Sequence, residues 1–267
     1  MGKSIGILAI KGGVGKTTVS ASLAASLVNH YDKKVLLIDG NYSAPNLGLH
    51  MDILEPEKTI HHALDKRIRF ESAIHNKFGV DVIPGEYVYN KDLNYLVLKE
   101  KIKSIKEKYD FVVIDSSPSA NDEILSTVMA SDIIFIVTTP DYPTLSCTLK
   151  TAKLVRQRGR PIAGIIVNKI RNPRYEISLK EIENSTEIPV VASIPDDKHA
   201  LRAAFTRIPM PLYKRNSKLS REIDKLSAAI TQSNSNKSLL SFLFGVKKED
   251  VNRNVLRESF YQEAFVH

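Results

Sequence analysis

A glycine-rich segment with two lysines lies between an apolar run, Ile5 to Ile10, and a stretch of small residues, Val19 to Leu27. Glycines let backbone N–H groups turn inward on an anion, and the N-terminus of a following helix adds partial positive charge. A strand, a glycine loop and a helix in this order form a phosphate cradle, so the sequence predicts an α/β nucleotide-binding fold. The alternative is a flexible glycine turn with incidental lysines. The predicted cradle comprises Lys11, Gly12, Gly13, Val14, Gly15, Lys16, Thr17 and Thr18.

The two lysines of this loop occupy different positions. Lys16 stands at the predicted helix start, where a lysine adds a full charge to bound phosphates, and the Thr17 hydroxyl can ligate Mg²⁺. The standard loop has a glycine where this chain has Ile10, and Lys11 stands next to that position. This second lysine distinguishes the loop from most phosphate loops.

Composition is compatible with one large domain. The chain has 267 residues, of which 43% are hydrophobic, enough for a full core in a single α/β domain. The single cysteine, Cys147, cannot form an internal disulfide, and neither a secretory signal nor an apolar run of about 18 residues is evident. We therefore expect a soluble protein in a reduced compartment.

The net charge of +8 is spread unevenly. Residues 142–175 contain eight basic residues and no acidic one, and residues 198–225 contain eight basic residues against Glu222 and Asp224. Such clusters can attract phosphate polyanions or anionic lipid. A solvated basic face is the equally weighted alternative.

Short Val/Ile-rich runs alternate with segments of helical period. The runs are continuously apolar, as expected of strands covered on both faces, so we predict a mainly parallel β-sheet flanked by helices on both faces. Predicted strands are Ile5 to Ile10, Val35 to Asp39, Val80 to Pro84, Phe111 to Asp115, Ile133 to Thr138, Ile162 to Asn168 and Val190 to Ile194. Predicted helices lie near Thr18 to Asn29, Leu93 to Lys108, Asn121 to Met129, Pro143 to Gln157, Leu179 to Ser185, His199 to Phe205 and Lys218 to Thr231.

Three of these strands end in polar side chains. Asp39 and Asp115 each follow an apolar run, and carboxylates at the carboxyl ends of parallel strands can hold or orient the waters around Mg²⁺. Asn168 ends a later strand, where its amide can both donate to and accept from an adenine edge. Each residue could instead cap the loop that follows it.

These features, together with Ile194-Pro-Asp-Asp-Lys198, resemble the MinD/ParA family of P-loop ATPases, the deviant Walker A group. The resemblance covers roughly residues 3–231. The Asn46-Leu47 pair and an apolar tail, residues 239–248, favour the MinD branch. It implies ATP and Mg²⁺ as ligands, with Asn168 and Pro195 near the nucleotide. It also implies an ATP-dependent homodimer in which Lys11 neutralises phosphate charge on the partner's nucleotide. Lys16 would hold its own subunit's β- and γ-phosphates, Thr17 would bind Mg²⁺, and Asp115 would be the Walker B residue.

The chain departs from the family pattern after its second predicted strand. The family usually has Asp-x-Asp there, with the second aspartate orienting or activating water, whereas this chain has Asp39-Gly40-Asn41. Asn41 can orient water but cannot act as a carboxylate base. Since phosphoryl transfer depends chiefly on positioning and charge stabilisation, we predict slow ATP hydrolysis rather than none.

Composition changes after Thr231, so we assign residues 1–231 to the ATPase domain and 232–238 to a polar linker. Residues 239–248, Leu-Leu-Ser-Phe-Leu-Phe-Gly-Val-Lys-Lys, would form an amphipathic helix with a broad apolar face. Such a helix can lie in an anionic bilayer surface, which predicts a cytoplasmic protein peripheral on the inner face of the cell membrane. Alternatively, the helix docks on the protein itself or on a partner. The role of residues 249–267 stays open.

Other functional classes differ in what they require. A ParA-like protein binding DNA non-specifically would use the basic clusters without the apolar tail. A metabolic or metal-insertion ATPase of the same group is disfavoured, because the chain has no Cys-x-x-Cys and only one cysteine. His50, His61 and His62 are too sparse to indicate a metal site, so we expect them to be surface or core histidines. The activating or cargo protein cannot be identified from these residues.

Overall fold

The computed structural model describes residues 2–89, 93–172 and 174–231. Within them a sheet of eight strands is flanked by ten α-helices. The strands are β1 Lys3–Leu8, β2 Val35–Gly40, β3 His75–Lys77, β4 Val80–Ile83, β5 Phe111–Ser116, β6 Ile133–Thr138, β7 Ile162–Ile170 and β8 Val190–Pro195. The helices are α1 Lys16–Tyr31, α2 Leu47–His50, α3 Ile60–Leu64, α4 Leu98–Ile105, α5 Asp122–Ala130, α6 Tyr142–Gln157, α7 Leu179–Thr186, α8 Lys198–Thr206, α9 Met210–Tyr213 and α10 Lys218–Ile230.

The strand order is β3-β4-β2-β5-β1-β6-β7-β8, and the predicted α/β architecture is confirmed. Every neighbouring pair is parallel except β3 and β4, which are antiparallel. The carboxyl ends of seven strands therefore meet at one edge, which we call the carboxyl edge. The phosphate loop, between β1 and α1, lies there.

Both faces of the sheet are buried, in agreement with the continuous apolar runs. Alternate residues of one strand enter different clusters: Val35 and Leu37 pack with α1 and α10, whereas Leu36 and Ile38 pack with α3 and α4. A third cluster joins β6 and β7 to α5, α6 and α7. A strand apolar at every position is thus explained by helices on both sides.

The sequence prediction misplaced some local detail. The predicted helix Leu93 to Lys108 is three pieces, with 3₁₀ turns at Tyr95–Val97 and Lys106–Lys108 on either side of α4. Strand β1 ends at Leu8, two residues before the predicted end. The elements β3, α2, α3 and α9 were missed because three to five residues are too few to establish a period.

Helices α1 and α10 run side by side from the carboxyl edge to the opposite edge of the sheet. Near the start of α10, the Glu222 side chain accepts a hydrogen bond from the Ser193 N–H at 3.4 Å. Farther along, Asp224 Oδ1 lies 2.9 Å from His30 Nδ1 and its carbonyl accepts from the Tyr31 hydroxyl, at the end of α1. The described chain therefore leaves α10 at the edge opposite the phosphate loop.

The predicted linker 232–238, helix 239–248 and extension 249–267 lie outside the described residues. None of the described helices is long and apolar enough to cross a membrane.

Candidate phosphate and magnesium site

The phosphate loop is held open for an anion by glycine conformations and by one amide. Gly13 and Gly15 have φ angles of 77° and 94°, in the region that favours glycine. Helix α1 starts directly after Gly15 with neither a side-chain cap nor an acidic residue in its first turn. Asn168 Nδ2 donates to the Val14 carbonyl at 2.8 Å, and a Cβ on Gly15 would collide with this amide. The first-turn N–H groups and the helix dipole are thus directed at the loop's interior.

Lys16 is the cation of this loop. Its side chain belongs to a residue only 7% exposed, and burial lowers the pKa of the ammonium while the nearby Asp115 carboxylate opposes that shift. A buried ammonium with only one carboxylate nearby is favourably placed for additional negative charge. This agrees with its predicted contact to phosphates.

Asp115 has one satisfied and one unsatisfied carboxylate oxygen. Ser20 Oγ donates to Oδ1 at 3.0 Å, whereas Oδ2 is buried and has no hydrogen-bond partner among the described residues. Burial raises the pKa of Asp115 to about 6 against the opposing effects of Thr17, Lys16 and Ser20. An orphaned acceptor of this kind fits a donor such as a Mg²⁺-bound water. The Thr17 hydroxyl, which donates to Asn46 Oδ1 at 3.0 Å, supplies a second oxygen beside it.

Asp39 pairs in register with Asp115 across β2 and β5, but both of its oxygens are already occupied. Oδ1 accepts from Asn41 N at 3.1 Å, and Oδ2 accepts from the backbone N–H groups of Asn46 and Leu47 at 3.1 and 3.0 Å. Burial and the Asp115 charge raise its pKa to about 7 despite these three donors. Asp39 therefore anchors the loop of residues 41–47, and its predicted role in magnesium hydration stays a prediction.

Asn41 lies 6% exposed at the start of that loop. Its Nδ2 donates to the Ala44 carbonyl, and its Oδ1 is buried without a partner in the described part of the chain. The amide thus has an acceptor that the described residues leave free, while its donor fixes the loop. A carboxylate at this position would meet the Ala44 carbonyl with a second acceptor.

Lys11 is turned away from its own phosphate loop. Its ammonium donates to Thr144 Oγ1 at 2.7 Å and to Asp141 Oδ1 at 3.2 Å, at the start of α6. Burial opposes ionisation of Asp141, but hydrogen bonds from Thr139 and Thr144 and the contact with Lys11 lower its pKa to about 2. The Lys11 side chain is still 39% exposed, so it can reach other groups.

Asn168 and Pro195 lie on adjacent strands near the loop. Besides bonding Val14, Asn168 accepts the Lys169 N–H on Oδ1 at 2.9 Å, so both ends of its amide are engaged. The structure thus gives Asn168 a bracing role, and its contact with adenine stays a prediction, as does that of Pro195 at the end of β8. Lys169 was not singled out from the sequence, although its Nζ donates to the Gly13 carbonyl at 2.7 Å.

Comparison with known proteins agrees with this geometry. A family model described as an AAA domain, AAA_31, matches residues 2–162. An uncharacterised ATP-binding protein of Methanocaldococcus jannaschii is 30% identical over 82% of this chain and 84% of its own length. The septum site-determining protein MinD of Pyrococcus horikoshii, solved in complex with Mg-ADP, is 29% identical with a TM-score of 0.82, covering 89% of this chain and 100% of that one. The chain belongs to the MinD/ParA family of P-loop ATPases. MinD of Synechocystis is 28% identical over 74% of this MinD/ParA protein and 77% of its own length.

In this MinD/ParA protein, His61 braces the loop after β2, a role that the sequence analysis did not assign to it. It is 1% exposed, and its Nδ1 accepts the Glu86 N–H at 3.0 Å, so its Nε2 carries the proton that it donates to the Tyr42 carbonyl at 2.9 Å. The adjacent Tyr42 hydroxyl lies 3.1 Å from Ser126 Oγ on α5. This network fixes the loop after β2 to α5. Neither His61 nor the adjacent His62 gives a signal of such a network in the sequence.

The histidines do not form a metal site in the described residues, where no group of three or more His, Cys, Asp or Glu side chains could hold an ion. Both ring nitrogens of His61 are engaged in the two backbone hydrogen bonds just described. His62 Nε2 lies 3.4 Å from Glu86 Oε2, and both side chains are half-buried.

Proposed function

We propose that this MinD/ParA protein is a MinD-like ATPase switch that binds Mg-ATP, dimerises and attaches reversibly to the membrane. In this role it positions a cellular apparatus such as the division machinery, together with an activating or cargo protein not yet identified. The observation that carries the proposal is the geometry of Lys11. Its ammonium contacts Asp141 and Thr144 rather than its own loop, and the side chain is 39% exposed.

A signature lysine in this position is suited to a nucleotide on another copy. Coulomb attraction between ammonium and phosphate is strong in an interface without water. The affinity between two copies would therefore be much higher with nucleotide bound than without it. Asp141 and Thr144 hold Lys11 at the surface until phosphate from a second copy replaces them. The homodimer therefore depends on ATP.

Within one subunit, the residues divide the binding of ATP between them. Gly12 to Gly15 direct backbone N–H groups at the phosphates, and Lys16 adds its charge to the β- and γ-phosphates. Thr17 and Asp115 would hold Mg²⁺, the latter through water, and this ion would neutralise charge that develops on the phosphates. Asn168 and Pro195 would lie beside the adenine.

Hydrolysis is slow in this proposal because Asn41 replaces the usual aspartate. Its buried Oδ1 can accept a hydrogen bond from the attacking water and orient it, but an amide does not take the proton. A slow reaction prolongs the ATP-bound dimer. Asp39 supports Asn41 indirectly by holding the loop of residues 41–47.

Membrane attachment is proposed from the sequence of residues 239–248, whose apolar side chains and terminal lysines suit an anionic bilayer surface. One short helix binds weakly, whereas two helices on a dimer bind with increased avidity. The protein would then be cytoplasmic with ADP and peripheral on the inner face of the cell membrane with ATP.

The test measures dimerisation and vesicle binding in the same samples. We expect light scattering to show a dimer, and sedimentation to show binding to anionic vesicles, with ATP and not with ADP. Lys11→Ala should abolish both, whereas the exposed Lys153→Ala should change neither. A chain ending at Thr231 should dimerise with ATP but remain in the supernatant.

Two outcomes contradict the proposal. Equal vesicle binding with ATP, with ADP and after truncation would exclude a nucleotide-dependent membrane switch. A salt-sensitive shift of duplex DNA with ATP, without any vesicle binding, would instead favour the ParA-like alternative. The basic residues of 142–175 and 198–225 would then be the groups that contact DNA.

A further inference from the structure

Helix α8 exposes two large apolar side chains one turn apart. Leu201 is 81% exposed and Phe205 is 86% exposed, among the most exposed large apolar residues of the described chain. The opposite side of the helix is made of alanines, and Ala203 is 3% exposed. Ala200, Ala203 and Ala204 line a small cavity together with residues of α1. The alanine side anchors α8 to the domain, so Leu201 and Phe205 are not needed to hold it.

Two cations share the exposed side with these apolar groups. At 100° per residue, Lys198, Leu201, Arg202 and Phe205 fall within an arc of about 100°. Both Lys198 and Arg202 are exposed, and neither side chain has a hydrogen-bond or ion-pair partner among the described residues. We call these four residues the α8 stripe.

The surroundings of the stripe are positive. From Lys198 to Arg221 the chain has seven basic residues and no acidic one. Of the preceding aspartates, Asp196 is paired with Arg171 at 2.7 Å, and Asp197 accepts the His199 N–H at 2.9 Å as the cap of α8. Arg207 is itself paired with Asp52 at 2.8 Å. The charged side chains of this surface that lack a hydrogen-bond or ion-pair partner among the described residues are therefore basic, as Lys198 and Arg202 of the stripe are.

Apolar groups flanked by unpaired cations match one surface in particular. Leucine and phenylalanine gain by entering the acyl boundary of a bilayer, while lysine and arginine stems lie along it and place their charges at lipid phosphates. Duplex DNA would engage the cations but leave Leu201 and Phe205 in water. A second copy of this basic surface would bring like charges together.

We propose that the α8 stripe is a second lipid-contacting surface, which lies on anionic headgroups when residues 239–248 bring the ATP dimer to a membrane. This inference rests on the proposed function and adds the orientation of the domain on the bilayer. Two apolar residues alone bind a bilayer only weakly. Their contribution is to strengthen a binding that the tail begins.

The first experiment compares full-length variants on vesicles in the presence of ATP. On vesicles with about 30% anionic lipid, we expect Leu201→Ser/Phe205→Ser to weaken binding about tenfold. Lys198→Ala/Arg202→Ala should weaken binding to these vesicles but not to neutral ones. The matched control, Val88→Ser/Leu96→Ser, removes two other exposed apolar groups and should bind like the wild type. Thermal melting and light scattering verify that each variant folds and dimerises.

The second experiment uses the absence of tryptophan from the sequence. Phe205→Trp introduces a single reporter into the stripe, and its emission should shift to the blue on anionic vesicles with ATP. Val88→Trp should not shift, although the same protein is bound. This difference reports which surface meets the lipid.

The outcomes separate the two proposals. If the wild type binds vesicles with ATP but the stripe variants bind equally well and Phe205→Trp does not shift, the stripe proposal is overturned and the membrane switch stands. Loss of the ATP dimer in Leu201→Ser/Phe205→Ser would also overturn it, since the face would then meet a second copy. If the wild type itself fails to bind vesicles, the proposed function fails first.

Discussion

Asp39 and Asn41 lie two positions apart at the end of β2, but their side chains do different work. Asp39 is completely buried, and its two carboxylate oxygens accept hydrogen bonds from three backbone N–H groups of the following loop. Asn41 leaves its Oδ1 without a partner among the described residues. The sequence singled out both positions and the phosphate loop as candidates, because glycines, a lysine and strand-end carboxylates form a specific pattern, and their roles in binding and hydrolysis stay predictions. It did not identify Lys169 or His61, whose contacts depend on which segments meet in space.

The amide of Asn41 can be tested by restoring the carboxylate. We expect Asn41→Asp to raise the rate of ATP hydrolysis about tenfold, less than the roughly 100-fold that a well-placed general base contributes. The gain is limited because the new carboxylate faces the Ala44 carbonyl, to which Asn41 now donates. Steady-state phosphate release with Mg-ATP measures the rate. An unchanged rate, or a wild-type rate equal to that of relatives with the aspartate, would refute the slow-turnover inference.

The buried imidazole of His61 predicts an effect on stability. His61→Ala leaves the Tyr42 carbonyl and the Glu86 N–H without their partner, and two unsatisfied buried groups cost about 2–4 kcal/mol. Urea unfolding measures this free energy. His75→Ala is the matched control, since His75 makes one exposed hydrogen bond to the Lys58 carbonyl and should cost less than about 1 kcal/mol. Equal losses in the two variants would contradict the bridging role.

At the scale of elements, parallel pairing brings the ends of β2 and β5 together and places Asp39 beside Asp115. The long apolar runs that form these strands were predictable, since burial on both faces leaves a strong pattern. The four-residue helices and β3 were not predictable in this way. The predicted helix around α4 was too long, because the turns on either side of α4 continue the same apolar spacing. Local pattern thus identifies elements that span several turns or a whole buried strand, and fails for those stabilised by their neighbours.

The two adjacent carboxylates make stability depend on pH. Their pKa values are about 6 for Asp115 and about 7 for Asp39, above the unfolded value near 3.8. At a pH between the unfolded and the folded pKa values, the folded protein therefore binds more protons than the unfolded chain. The free energy of unfolding of the nucleotide-free protein should therefore fall as pH rises from about 5 to about 8. Urea melts in the presence of a chelator measure this slope.

Asp115→Asn provides the control for that slope. It removes one of the two carboxylates and the repulsion on the other, so the fall in stability with rising pH should be smaller than in the wild type. Mg-ADP should raise the stability of the wild type most at the higher pH, where both carboxylates are ionised. The same slope in variant and wild type would show that other groups control it.

At the scale of the molecule, α10 closes one face of the sheet. Its inward side contributes Leu219, Ile223, Leu226 and Ile230, each 3% exposed or less, to the cluster with α1. The sequence predicted the mainly parallel sheet and the end of the domain near residue 231. It could not predict the strand order, because that order depends on which edges of equally apolar strands fit together.

Removing α10 should therefore unfold the domain. Truncating each of its four buried side chains costs about 2–5 kcal/mol, so together they contribute about 8–20 kcal/mol, as much as the 5–15 kcal/mol that typically stabilises a domain. A chain ending at Thr231 should melt cooperatively and bind Mg-ADP as the full chain does, whereas one ending at Ser217 should do neither. Circular dichroism and nucleotide titration give both readouts. A shorter chain that folds would move the domain boundary.

The direction of α10 constrains how nucleotide and tail can communicate. The helix carries the chain about 20 Å, from beside the carboxyl edge to the far edge of the sheet, so the described chain ends on the side opposite the phosphate loop. If the proposed ATP-dependent dimer forms, it doubles the number of tails (residues 239–248) without any change in each tail, so membrane binding would report how many copies are joined. In that proposal the signal to the membrane is the number of joined copies, and it requires no conformational change through the sheet.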